Sequence, residues 1–321
     1  MKETNQNNNF SKSINRIHII KFIKHAWSER QYGIFVYLMI WMFIVFNIVK
    51  NSVLDSLTLE NFMNYEVYVI RDMLIWGIFV PGVITNIVLN KFGQKILCII
   101  MGAHKIKRNE HIQRIQMPTE AIIKELRTKG LNLPDNINVC IMNCAEPLAY
   151  AVGMNTIIVS EGMAEVDEDI FKAKIITEAY RISQMDPDYL LFMLGSNIIG
   201  GILAICMLLI GGIDMFFGSR RSNIWGESES KSGAYLYYGT LAITTIWLGI
   251  CYLFVRKYKR RNTFEADKYA LQFGYGEALC LYLDKIVPKK KSKGQKLLEI
   301  GCPSKDERIA ALQKAGTTYY C

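Results

Sequence analysis

The chain has 321 residues, 51% of them hydrophobic, with a mean hydropathy of +0.14 and a net charge of +9. Ordinary soluble domains are less apolar. Here the apolar residues gather in runs flanked by Lys and Arg, so the basic balance points to a membrane and away from nucleic acid, for which no motif is present.

In chain order, Met1–Phe10 is Asn-rich and has the composition of disorder. Ser13–Trp27 interleaves Ile14, Ile17, Ile20, Phe22 and Ile23 with Arg16, Lys21, Lys24 and His25. This is the pattern of a basic amphipathic helix on an anionic membrane surface, or of a solvated leader. The first apolar run starts near Tyr32 and is too long for the h-region of a secretory signal, so no such signal is expected. Four runs predict transmembrane helices: Tyr32–Val49, Met73–Leu89, Leu190–Phe217 and Tyr235–Val255. A spanning helix needs roughly 20 apolar residues. The second run is short and carries Pro81 and Gly82, which predicts a kink, and Asp214 marks the interface near the end of the third.

Basic flanks set the orientation. Lys2, Lys12, Arg16, Lys21, Lys24 and Arg30 precede the first span, and Arg256, Lys257, Lys259, Arg260 and Arg261 follow the fourth. The loop after the first span holds Lys50 and Arg71 against Asp55, Glu60, Glu66 and Asp72. Both termini and the soluble domain are therefore predicted cytoplasmic. The expected organisation is a leader at 1–31, two spans within 32–89, a first domain part at 90–188, a helical hairpin within 189–255, and a second domain part at 256–321.

Eight cysteines, at 98, 140, 144, 206, 251, 280, 302 and 321, suggest no disulfide framework, and the soluble parts read as belonging to a reducing compartment. Cys140 and Cys144 lack a second Cys/His pair at zinc-knuckle spacing. In the first domain part, Pro118–Lys129 reads as a helix closed by Gly130. Asn136–Met142 and Thr156–Ser160 read as strands. Asp167 is placed to cap a helix through Ile170, Phe171, Ile175, Ala179 and Ile182.

Four segments then carry the argument: Ala149-Tyr150-Ala151-Val152-Gly153 with Ile157–Met163; Thr177-Glu178-Ala179-Tyr180-Arg181 with Asp186; Arg261–Asp267; and Cys302-Pro303 with Arg308-Ile309-Ala310-Ala311-Leu312. In order and rough spacing they resemble the HtpX-like and CAAX-prenyl-protease-like membrane zinc metallopeptidases, over roughly Met73–Ala315. The resemblance implies four transmembrane helices with a split cytoplasmic α+β zincin-like domain, in a bacterial cell membrane. It makes Ala149, Tyr150, Ala151 and Gly153 the edge strand of a peptide cleft. It places H-E-x-x-H at Thr177–Arg181, the glutamate ligand of E-[FY]-x-A-D at Thr263, and a supporting histidine at Cys302.

A catalytic zinc needs three protein ligands and an open position. Residues i and i+4 share a helix face, which is how H-E-x-x-H supplies two of them. The ligand positions here are Thr177, Arg181 and Thr263, and none is a plausible zinc ligand, since Arg offers no lone pair and a Thr hydroxyl is a poor one. Glu178, the general-base position, and Asp267, the position behind the ligands, remain. Zinc, the family's cofactor, is therefore expected to be absent. We expect Arg181 to take the vacated place and pair with Glu178, Asp267 or both, because buried carboxylates that lose a dication need a cation. The plain alternative is an i, i+3 surface pair between Glu178 and Arg181. The edge strand either accepts an extended peptide or is merely packed.

The expected function is a catalytically inactive pseudoprotease of membrane-protein quality control, binding or regulating peptide, membrane-protein or protease partners, with the lipid bilayer around it. Two alternatives stand beside it. One is an active metalloendopeptidase with non-standard ligands or a Cys302 nucleophile; the other is a structural or immunity-type membrane protein.

Overall fold

The computed structural model describes residues 91–221, 232–285 and 293–319. The leader, the first two apolar runs and the Arg30 to Arg71 charges that set their orientation lie outside the described residues. The chain divides into two compact units; among described residues, one joins 91–192 to 255–319 and the other is 193–254.

The first unit is α+β. It opens with α1 (Lys91–Ile100), which turns Gln94, Leu97 and Met101 inward at helical spacing. Gly102, at φ 68, reverses the chain into β1 (Ala103–Lys105). A helical turn and a π turn lead into α2 (Met117–Thr128). Its buried stripe is Thr119, Ile122, Ile123 and Leu126. It stops where Gly130 takes φ 90, with Gly130 N–H bonded to Arg127 O and Leu131 N–H to Leu126 O, a Schellman closure.

Next come β2 (Asn138–Met142), β3 (Ala149–Val152) and β4 (Thr156–Ser160), forming with β1 a sheet of order β1-β2-β4-β3. β2 and β4 run parallel, and the outer pairs are antiparallel. β2 begins two residues later than expected, at Asn138. β3 and β4 are buried throughout, which explains their apolar runs without alternation. After β4 the backbone passes close beneath an earlier loop, where a Cβ at Gly162 would lie 2.0 Å from Ala145 O.

α3 (Glu168–Ser183) follows Asp167, whose side chain makes no capping bond; the acidic first turn, Glu168 and Asp169, still suits the positive end of the helix. The expected capping role of the Asp167 carboxylate is thus corrected. Met185 then takes φ 53, a left-handed turn that breaks α3 from α4 (Asp186–Arg221). α5 (Ser232–Gln272), α6 (Gly276–Lys285), α7 (Lys293–Leu298) and α8 (Lys305–Lys314) complete the described helices. A reciprocal Ser304–Glu307 box starts α8. Ile141, Ile157, Ile175, Leu279 and Leu312 mark the core, which fills the space between the sheet, α2, α3, α6 and α8.

The second unit is a helical hairpin of the middle parts of α4 and α5. Trp247 Nε1 donates to Asn197 Oδ1 at 2.7 Å, and Gly212 lies beside Tyr237. Outward faces carry Ile205, Leu209 and Ile213 on α4 and Ile243, Ile246 and Leu253 on α5. Among the described residues one helix, Tyr237–Gln272, is long and apolar enough to cross a membrane.

Candidate functional site

α3 is buried nearly all round, yet it carries Lys174, Thr177 and Glu178 among its buried residues. Charged side chains are almost never sealed from water unless paired. Here the pairing is dense. Glu178 is 1% exposed and its carboxylate accepts from Lys174 Nζ at 2.5 Å, from Arg181 Nη1 at 3.1 Å and from the Ala151 amide at 2.8 Å. Arg181 also reaches past the break in the helix: Nε and Nη2 lie 2.8 and 2.7 Å from Asp186 Oδ2. Met185, in its left-handed turn, sets Asp186 at that position. Lys259 of α5 donates to the same oxygen at 2.9 Å, and Asn262 donates to Oδ1 at 3.4 Å.

Of the two carboxylates expected as partners, Arg181 takes Glu178 and not Asp267. Asp267 is held by Arg308 of α8 through two parallel bonds, 2.7 Å from Nε and 2.6 Å from Nη2. This bidentate fork fixes the Asp267 carboxylate, and the second carboxylate Arg181 meets is Asp186.

Glu178, Asp267 and Arg308 line a cavity of about 460 Å³, which Thr177, Arg181 and Thr263 line too. Cys302, Tyr150 and Glu299 line it too, and the Tyr150 hydroxyl donates to Glu299 Oε1 at 3.0 Å. The hydroxyls at the two Thr positions are turned back on their own helices: Thr177 Oγ1 donates to Lys174 O and Thr263 Oγ1 to Lys259 O, each at 2.7 Å. Zinc does not fit this donor set. Two hydroxyls committed to backbone carbonyls and a guanidinium bearing donors alone present no ligand triad. Among the described residues no three His, Cys, Asp or Glu side chains gather to hold a metal ion. The described histidines are elsewhere: His104 on β1, and His111 with Nε2 3.8 Å from Glu161. Glu265 points away and pairs with Arg261 at 3.4 Å.

The edge strand has a consequence for the cleft. Ser160 N–H bonds to Leu148 O, so antiparallel alternation turns the amides of Ala149 and Ala151 away from β4. The Ala151 amide on the side away from β4 is taken by Glu178. Gly153 follows at φ 58, and a Cβ there would sit 2.3 Å from the Gln94 side chain.

Electrostatics follow from these contacts. Burial pushes the Glu178 carboxyl up, but Lys174, then Arg181, and the bonds from Lys174 and Ala151 outweigh it and bring it down to about 2. Burial likewise opposes ionisation of Asp186, and Lys259 and Arg181 overcome it. Burial draws the Lys174 ammonium below its ordinary value. A carboxyl whose folded value lies below its unfolded one stabilises the fold above about pH 5 and loses that contribution as pH falls toward about 2. For Glu178 the contribution is about 3 kcal/mol at neutral pH. The melting temperature of the detergent-solubilised chain is therefore expected to drop between about pH 5 and pH 3, and to drop less in Glu178→Gln. Equal acid lability of the two chains would place the sensitive group elsewhere.

Lys174 and Lys259 are the members that sequence reasoning missed. Lys259 sits in the basic run Arg256–Arg261 and reads there as a topology signal, yet it is 1% exposed. Lys174 carried a clue, being i−4 to Glu178 on a helix with few other charges in its middle turns.

The family model for peptidase family M48 matches residues 193–315, a stretch that holds the Thr263, Asp267, Cys302 and Arg308 positions and begins after Glu178. No curated protein matches the chain. Among solved structures, the crystal structure of S. mikatae Ste24p is similar, with 13% identity and a TM-score of 0.39 over 92% of this chain and 65% of that one. The chain thus spans about two thirds of that protein's length. Residues 193–315 are thus the part of the chain that is similar to peptidase family M48.

Proposed function

We propose that this chain is a catalytically inactive HtpX-like pseudoprotease, a protein of four transmembrane helices whose termini and soluble unit face the cytoplasm of a bacterial cell. Its cleft binds or regulates peptide, membrane-protein or protease partners. One observation carries the reading. Lys174 and Arg181 together bring two positive charges to Glu178, the charge a dication would bring. A general base must be free to accept a proton from water near neutral pH. A carboxylate already accepting three donors, and held to about 2, is a poor one. The apolar faces of the hairpin support the membrane placement.

Peptide binding is a separate matter from hydrolysis. An extended peptide would pair along the open side of β3, beside Ala149, and would compete with Glu178 for the Ala151 amide. The test uses the full chain in detergent, prepared in zinc-supplemented buffer and assayed for metal by elemental mass spectrometry. The same preparation is mixed with an extended peptide bearing a photoreactive group. The expected result is less than about a tenth of a zinc per chain, no cleavage of unfolded protein, and cross-links within residues 149–153. Stoichiometric zinc with cleavage that Glu178→Gln abolishes would overturn inactivity. Cross-links scattered over the surface would sink the cleft and leave a structural platform.

A further inference from the structure

Outside the hairpin, the large apolar side chains left exposed among the described residues are Ile96, Ile99, Ile100 and Met117, all within one short stretch of chain. Three of them share one face of α1. Gln94, Leu97 and Met101 are buried, whereas Lys95, Ile96, Ile99 and Ile100 are exposed, Ile99 at 67%. A helix on the surface of a soluble domain turns polar residues outward. Three isoleucines gathered there mark a surface that something covers.

The neighbouring charges say what covers it. Between positions 95 and 114 the exposed cations are Lys95, Lys105, Lys107, Arg108 and Arg114. The exposed carboxylate of that stretch is Glu110, which lies 3.6 Å from Arg114. Gly102, at φ 68, turns the chain so that this basic segment follows directly on the apolar face of α1. In the sequence, α1 itself follows almost at once on the apolar run at 73–89. Lys105 lies on β1, an edge strand, where a lysine discourages pairing with another chain. That role leaves Lys107, Arg108 and the isoleucines unexplained.

We propose that the outer face of α1 and the basic segment at 105–108 form an interfacial anchor that binds the anionic phospholipids of the membrane, an inference that rests on the membrane placement proposed above. Ile96, Ile99 and Ile100 enter the boundary between headgroups and acyl chains, and Lys95, Lys105, Lys107 and Arg108 reach the lipid phosphates. A basic cluster beside a span is attracted to an anionic leaflet charge by charge, and the isoleucines add a contribution that salt does not screen. A second copy of this chain is a poor occupant, because a two-fold contact would set the cations against themselves.

The anchor bears on the cleft through the other face of the helix. Gln94 packs against Gly153, at the end of β3, so closely that a Cβ at Gly153 would meet its side chain at 2.3 Å. A helix seated on lipid thus braces the end of the strand along which a peptide would pair.

The experiment uses the full chain in nanodiscs of equal phosphatidylcholine and phosphatidylglycerol. The photoreactive residue p-benzoylphenylalanine is introduced at position 99, or at position 246 on the outer face of the hairpin, and adducts are identified by mass spectrometry. At position 99 the expected adducts are lipid, with phosphatidylglycerol enriched about threefold or more over phosphatidylcholine. At position 246 the adducts are expected to follow the composition of the bilayer. Lys105→Ala, Lys107→Ala and Arg108→Ala, combined in one chain, are expected to return the ratio at position 99 to about one, with melting unchanged. Lipid adducts at 246 with none at 99, or with links from 99 to a second copy, would overturn the anchor and leave the membrane placement standing. Lipid adducts at neither position would remove the membrane placement and the anchor with it. Adducts at 99 that match the bilayer composition before any cation is removed would overturn recognition of anionic lipid.

Discussion

Thr177→His, Arg181→His and Thr263→Glu, combined in one chain, are expected to raise zinc content from near zero to about one ion per chain. The three positions line one cavity, two of them a helical turn apart on α3 and the third on α5. Two imidazoles at i and i+4 with a carboxylate opposite make the ligand set of a catalytic zinc centre. The electrostatics shift in the same direction. Removing the Arg181 guanidinium takes away the cation that would repel the metal and leaves Glu178 and Asp186 with one fewer partner. Lys174 remains, its ammonium 2.5 Å from Glu178, and it competes with the metal for that carboxylate. Adding Lys174→Ala is therefore expected to tighten zinc binding further, by about tenfold or more if one neighbouring positive charge costs about 1.4 kcal/mol. Elemental analysis with zinc titration reads both steps. A triple variant that melts cooperatively yet stays metal-free would mean that the cavity does not hold these positions at ligand distance, and the assignment of Thr177, Arg181 and Thr263 would fall with it.

How much of this was legible beforehand depends on the kind of signal. α2 was bounded closely because its stop is a glycine that must take φ 90, and β4 because an apolar β-branched run between polar residues has few other readings. The start of α3 was placed correctly at Asp167, but not the chemistry of the cap, because an N-cap side chain is free to choose another rotamer. Glu178 and Arg181 were visible as a pair since helix spacing fixes i, i+3 neighbours. The partner beyond the helix was not. Asp186 reaches Arg181 through a methionine in a left-handed turn, which costs roughly 1–2 kcal/mol and which no sequence rule anticipates at Met. Arg308 was seen as part of a motif, but its grip on Asp267 depends on how α8 packs against α5, 41 residues apart in the chain. Engagement of the Ala151 amide was invisible for the same reason: strand and helix were each foreseeable, but not the contact between them.

Arg181→Met is expected to cost about 3–5 kcal/mol, the penalty for stranding buried carboxylates. At roughly 2–4 °C per kcal/mol for a domain of this size, the melting temperature falls by about 10 °C. The argument rests on position. The guanidinium is 12% exposed and bridges Glu178 and Asp186, which are 1% and 0% exposed. Methionine fills much of the same volume and bonds neither. Lys174 and Lys259 still pair with one carboxylate each, which keeps the loss from doubling. If orphaned charge is the cause, neutralising the partners reverses it: Arg181→Met with Glu178→Gln and Asp186→Asn should recover at least half of the lost stability, because amides cost far less to bury than carboxylates. A surface pair provides the scale. Arg261→Met breaks a 3.4 Å contact with Glu265 between side chains 46% and 44% exposed, and should shift stability by less than about 0.5 kcal/mol. Thermal melts of the four detergent-solubilised chains decide it. Should Arg181→Met and Arg261→Met melt alike, Arg181 would be no more than a helix-surface neighbour of Glu178. Should Arg181→Met melt low and the triple variant melt lower still, packing around the guanidinium and not its charge would be what holds α3 to α4.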